Sequence, residues 1–200
     1  YASLRDVSTD DTQDSKESDD LRGAPANEPI PELTLKWVES VDAYTKLGVK
    51  NEDDPEAAGK LAFAAARVFY DYHHYDTATE RLEAVVRGYC GQKETGFAAA
   101  LLIDTYRVRK DYTQVEYWTN EIQRLGACVQ VPDYLVEAFE KDLERFRMGA
   151  VADKAEQYYA DGEYEKAAEE YRRLTTDYAD SDFAPLGLYN AGQIYENDLR

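Results

Sequence analysis

Apolar and polar positions alternate most legibly between Val151 and Leu174, VADKAEQYYADGEYEKAAEEYRRL. Val151, Ala155 and Tyr158 recur at helical spacing, and Tyr164, Ala167, Ala168, Tyr171 and Leu174 do so after a break at Asp161-Gly162. The pattern predicts two amphipathic helices joined by a tight turn. Neither can bury its apolar stripe alone, so each needs the other and then a neighbour on both sides. The unit recurs along the chain. Phe69, Tyr106, Tyr158 and Tyr195 each fall near the end of a predicted first helix, and the first three are followed at one constant interval by Tyr75, Tyr112 and Tyr164. Ala66, Ile103, Ala155 and Gly192 align on the close-contact position of the first helix, and Ala78, Val115 and Ala167 on that of the second. The interval from Phe69 to Tyr106 equals that from Tyr158 to Tyr195. The interval between Tyr106 and Tyr158 is longer by about four helical turns.

The other elements follow from the same periodicity. Trp37, Val38, Val41 and Tyr44 form a stripe between Pro31 and Gly48, so a helix is predicted over Glu32 to Leu47, with 32–53 as a capping helix and loop. Asp54-Pro55-Glu56 is a helix start, with an acid at the cap and Pro at the first helical position. That helix runs to about Tyr72, and its nearly all-apolar LAFAAARVFY requires neighbours on more than one side. After a turn at His73 to Asp76, Thr77 to Tyr89 pairs with it through Ala78, Leu82, Val85 and Val86. A second pair spans 95–126, with Ala99, Leu102, Ile103 and Tyr106 inward on one helix and Val115, Trp118 and Ile122 on the other. A third pair spans 133–178, and a partial unit spans 184–200. Leu135, Phe139, Leu143, Phe146, Ala150 and Tyr158 sustain one stripe from Asp133 to Ala160. Two readings fit it: one helix of ~28 residues, roughly 42 Å long and projecting beyond its repeat, or a short inserted helix with a break near Met148-Gly149.

This pattern resembles the tetratricopeptide repeat (TPR) family. The third copy carries the likeness best, with Ala155, Tyr158, Gly162, Tyr164, Ala167 and Tyr171 on signature positions, and LYNAGQIYE from Leu188 to Glu196 looks like the first helix of a fourth. The spacing of about 37 departs from the family's ~34. The resemblance implies an all-α, right-handed solenoid of antiparallel helix pairs, and a binding scaffold rather than a chemistry. It puts the first helices along a concave face. The positions carried over are Lys60, Phe63, Arg67, Tyr70, Asp104, Arg107, Glu156, Tyr159, Tyr189 and Gln193. Arg67 and Arg107 could flank one anionic group, although the Lys and Asn of the family's carboxylate clamp are missing. The tyrosine-rich repeats and the loop DYADSDFA, Asp177 to Ala184, further resemble TPR proteins of bacterial envelopes, namely assembly lipoproteins of the BamD type and division coordinators of the YbgF type. A periplasmic location is then implied, with a cytoplasmic one as the alternative.

Composition narrows the partners. The formal net charge of −18 over 200 residues argues against nucleic acid, whose phosphates require a basic face, and against an anionic membrane surface. It fits a protein or peptide partner, a basic one included, and equally a merely soluble surface. The first 31 residues form an acidic arm: Tyr1 to Asp20 holds seven acids against two bases, and Pro25, Pro29 and Pro31 follow. Such a segment buries too little surface to offset its ordering entropy, so a flexible linker is expected. No window reaches the ~20 apolar residues of a membrane span. The start at Tyr1 and the helical pattern running to Arg200 suggest a piece of a longer protein.

Candidate chemistry is sparse. His73-His74 lies at a turn with no further ligand nearby, and no phosphate loop, nucleophile elbow or zinc spacing occurs, so no cofactor, metal or catalytic residue is assigned. Cys90 and Cys128 each follow the second helix of consecutive units. They form either a disulfide, which implies an oxidising compartment, or two unpaired thiols. The expected function is a non-catalytic protein–protein interaction scaffold. The alternative is a substrate-positioning helical-repeat domain of a larger enzyme or secretion machine.

Overall fold

The computed structural model describes residues 24–48 and 51–199. Most of the expected acidic arm, 1–23, lies outside the described residues. The architecture is all-α, with eight α-helices and no strand among the described residues: α1 (Glu32–Leu47), α2 (Ala57–Asp71), α3 (Tyr75–Gly88), α4 (Glu94–Val108), α5 (Tyr112–Leu125), α6 (Val136–Ala160), α7 (Tyr164–Asp177) and α8 (Phe183–Asn197). Each helix packs on its neighbours in the chain, and α2 also touches α4.

The three tight turns are one structure used three times. His73, Lys110 and Gly162 each adopt the left-handed conformation, at φ 63°, 56° and 76°. In each turn the amide after that residue donates back to the carbonyl of the aligned aromatic: His74 to Phe69 at 2.8 Å, Asp111 to Tyr106 at 3.0 Å, Glu163 to Tyr158 at 2.8 Å. A second bond runs from the left-handed residue itself, His73 to Tyr70, Lys110 to Arg107 and Gly162 to Tyr159. This pair of bonds is the Schellman arrangement, which satisfies carbonyls left open at a helix C-terminus. The carbonyl on the far side then accepts from Ala78, Val115 or Ala167 and starts the second helix. The loops α3–α4 and α7–α8 also match. Gln92 donates to Tyr89 and Thr95 to Gln92 in one, and Ser181 to Tyr178 and Ala184 to Ser181 in the other.

Small residues set the helix spacing. A Cβ on Gly96 would lie 2.2 Å from the Gln130 carbonyl oxygen, and one on Gly187 would lie 2.5 Å from that of Tyr171. Both glycines are buried where backbones approach too closely for any side chain. In the last unit this corrects the sequence reading. Gly192, aligned there on the close-contact position, is exposed and meets nothing, and Tyr195 points outward. Ala184, Gly187, Ala191 and Ile194 are the buried residues of α8 instead, and Ala191 and Ile194 share one cluster with α7 and with Val151 and Ala155 of α6.

The long first helix is real and unbroken. α6 passes through Gly149 for 25 residues, after a 3₁₀ turn at Asp133–Leu135. Its extra turns, expected to project beyond the repeat, pack on the preceding helices. Leu143 and Ala150 join the core built by α2 to α5, with Phe139 and Phe146 packed against it. Val151 and Ala155 instead join the core of α7 and α8. One helix therefore serves two hydrophobic clusters in turn. A smaller cluster, Val38, Val41 and Ala65, seats α1 on α2.

Candidate interaction surface

Four of the ten residues proposed to line a concave face, Phe63, Tyr70, Asp104 and Arg107, meet a neighbouring first helix. Phe63 of α2 lies 6.1 Å, ring to ring, from Phe97 of α4. The Tyr70 hydroxyl donates to Asp104 across the same two helices, and burial together with that carboxylate lifts its pKa above the usual phenol range. Arg107 of α4 stacks over Phe146 of α6 at 4.6 Å and lies 3.7 Å from Asp104. Tyr159 of α6 stands beside Asp198, whose charge is the main cause raising the pKa of its hydroxyl, and its ring packs edge-on to Tyr164 at 5.3 Å. Lys60 pairs with Asp54 at 2.9 Å, and Arg67 with Asp71 at 3.4 Å. Glu156, Tyr189 and Gln193 are exposed, and Gln193 accepts from Asn197 at 3.1 Å.

Most arginines of the second helices serve as ties. Arg81 of α3 forks onto Asp42 of α1 at 2.8 and 2.6 Å and lies over Phe69. Its hydrogen bond is the main cause holding the Asp42 carboxyl below the usual range. Arg87 of α3 bonds Glu121 of α5 at 3.0 Å and lies over Trp118. Arg173 of α7 reaches Glu116 of α5, fifty-odd residues away, and also holds Glu170, which takes Lys154 of α6 at 2.8 Å. Planar guanidinium forks suit such paired, partly buried bridging. With 41 acids against 23 bases, spending the cations on ties leaves unpaired acid elsewhere.

That surplus frames a groove that the repeat pattern did not mark. The extra turns of α6 lie against the end of α5 and the segment between the two helices, enclosing about 890 Å³. Its floor is apolar: Ile122, Val129, Val131, Phe139 and Leu143. Its edge carries Asp133, Glu137, Glu140 and Glu144. Only Glu137 is paired, with Lys141 at 2.9 Å, which lowers its carboxyl pKa. Arg147 crosses the groove to Gln123 at 2.9 Å. A neighbouring hollow of about 540 Å³ continues past Glu144, Asp177 and Tyr178, which line both, toward Asp180 and Asp182. Sequence reasoning treated Leu135, Phe139 and Leu143 as an ordinary buried stripe. The one available signal was the longer interval between Tyr106 and Tyr158.

The segment Gly126 to Gln130, which lines one side of this groove, is pinned at Cys128. Cys90 and Cys128 are joined by a disulfide with their Cα atoms 4.2 Å apart. Hydrogen bonds reinforce the junction: the Gly91 amide donates to the Cys128 carbonyl at 2.9 Å, the Thr95 hydroxyl is shared between the carbonyls of Gln92 at 2.6 Å and Cys128 at 3.0 Å, and the Gln130 amide donates to Thr95 Oγ1 at 2.9 Å. Among the described residues no group of three or more His, Cys, Asp or Glu side chains is placed to hold a metal. The two histidines serve a strap, with His74 Nε2 2.7 Å from the Glu28 carbonyl and His73 3.7 Å from the Glu28 carboxylate. No described helix is long and apolar enough to cross a membrane. No family model, curated protein or solved structure matches this chain.

Proposed function

We propose that this chain is a non-catalytic protein–protein interaction scaffold, a TPR-like right-handed solenoid of antiparallel helix pairs, and that it works in a bacterial envelope assembly. The thrice-repeated turn supports the repeat family. The disulfide supports an oxidising compartment, since such bonds persist outside the reducing cytosol. The observation that carries the binding role is the groove beside α6, with its apolar floor and largely unpaired acidic edge. An amphipathic helix with a lysine- or arginine-rich polar face fits both features, with anchors on the floor and cations along the edge.

The test is titration of a synthetic lysine-faced amphipathic helix into the protein, beside its glutamate-faced twin. The expected result is saturable binding of the basic peptide alone, weakened by salt and lost in Phe139→Asp. Equal binding of both peptides, or binding that Phe139→Asp leaves intact, refutes this use of the groove. A second reading, a substrate-positioning domain of a larger enzyme or secretion machine, uses the same groove. It is favoured if the bound segment proves to be a substrate of a catalytic domain joined to this chain.

A further inference from the structure

Phe146 of α6 has a guanidinium from each of two helices over its ring. Arg107 of α4 lies 4.6 Å from the ring centre, and Arg145 of α6 lies 5.5 Å from it. Both arginines and the ring line a hollow of about 320 Å³ that Phe183 of α8 also borders. These two cations are not tied as Arg81, Arg87 and Arg173 are, which hydrogen-bond carboxylates of other helices. Their carboxylate neighbours belong to their own helices: Asp104 at 3.7 Å, beyond hydrogen-bond reach, and Asp142 at 3.0 Å. Exposed pairs within one helix are weak, so either guanidinium can turn to a better acceptor. Gly149 adds a second observation. It lines the same hollow, a Cβ there would meet nothing within 4 Å, and its backbone is not left-handed. Neither packing nor conformation demands a glycine, and glycine weakens a helix interior relative to alanine. Gly96 and Gly187, by contrast, admit the backbone of a neighbouring segment. The missing side chain of Gly149 leaves a notch beside the Phe146 and Phe183 rings.

We infer that this hollow binds a partner segment in which one bulky apolar side chain is flanked by carboxylates. The apolar group sits on Gly149 between the two phenylalanine rings, and the carboxylates reach Arg107 and Arg145. The volume lies at the small end of ligand pockets and suits one large side chain. Charge selects the flanks. The protein carries −18 overall, so an acidic segment is repelled by most of its surface, and the two guanidiniums fix where it docks. Asp153 also lines the hollow, which disfavours a dianionic phosphate and suits single carboxylates held apart. The inference does not rest on the groove that takes a basic helix, because Arg145, Phe146 and Gly149 lie outside its lining. α6 then offers two sites of opposite charge preference, as a scaffold joining two partners requires.

Isothermal titration calorimetry at physiological ionic strength tests the site. The probe is a heptapeptide blocked at both ends, Ser-Glu-Glu-Phe-Glu-Glu-Ser, beside one twin with alanine for the phenylalanine and another with glutamine for every glutamate. The expected result is saturable binding of the first peptide, weaker by at least about tenfold in each twin. Gly149→Leu, which fills the notch, and Arg145→Glu, which reverses one exposed cation, should each weaken it as much. Gly149→Leu should keep the helical circular dichroism and Tm, since leucine is the better helix former. Absence of saturable binding overturns the inference. So does equal binding of either twin, or binding that either variant leaves intact.

Discussion

Reduction of the Cys90–Cys128 bridge is the perturbation whose size follows most directly from the structure. The bond closes a loop of 38 residues that holds both α4 and α5. Cross-linking a loop of that length removes about 13 cal/mol/K of unfolded-chain entropy, or about 4 kcal/mol at 25 °C. The folded state loses little when the bond opens. Gly91 and Thr95 still donate to the Cys128 carbonyl, and Thr95 still accepts from Gln130. The destabilisation therefore acts through the unfolded ensemble, and the native fold persists. For a chain of this size about 4 kcal/mol lowers Tm by roughly 8–16 °C. The assay is thermal unfolding followed by circular dichroism, with and without a dithiol reductant, and with Cys90→Ser/Cys128→Ser as the permanently open form. Reduced and mutant proteins should share one lowered Tm and keep the native helical signal at low temperature. A shift below about 3 °C would refute the loop-entropy argument. Loss of helix at low temperature would refute the claim that hydrogen bonds hold the junction unaided.

Further predictions follow from the turns, the close approaches and one carboxylate. Gly162→Ala meets no neighbouring atom, so only its φ of 76° opposes the new Cβ, and about 1 kcal/mol of stability should be lost in chemical denaturation. Lys110→Gly relieves the same conformation and should cost nothing or raise Tm slightly. Gly187→Ala drives a Cβ against the Tyr171 carbonyl and Leu174, and a loss of about 1–3 kcal/mol is expected, read as a lower denaturant midpoint. Arg124, opposed by desolvation and seconded by Arg87, holds the Glu121 carboxyl at about 2. A depressed carboxyl pKa contributes stability that is complete above about 4.5 and is lost as pH falls through 2. Glu121→Gln should accordingly lower Tm near neutrality, by an amount that shrinks as pH falls from 4.5 toward 2. A Tm difference independent of pH would contradict this account.

Much of the helix layout was legible because an amphipathic helix writes its buried face into local spacing. Ala78, Leu82, Val85, Val86, Ala99, Leu102, Ile103, Val115, Trp118 and Ile122 were read as inward and are buried. The turn after Tyr158 was marked by Gly162. The equivalent turns at His73 and Lys110 were placed by their aromatics, although a side chain there must tolerate a left-handed backbone. The candidate face was less legible. Spacing puts Tyr70, Asp104 and Arg107 on one side of their helices, but not whether a ligand or the next helix meets them there. In the structure Tyr70 meets Asp104, and Arg107 meets Phe146.

What periodicity alone decides is local: where helices run, which stripe each must hide, and that the unit repeats. A 3.6-residue period is a property of one helix and needs no knowledge of its neighbours. Which neighbour hides the stripe is a non-local matter. The extended pattern of α6 looked the same whether its extra turns stood in solvent or lay along α5, and packing made them the wall of a groove. The apolar stripe Leu188–Gly192–Tyr195 likewise reads as one more buried face. It is exposed because burial belongs to a pair of surfaces, and no described residue covers that side of α8.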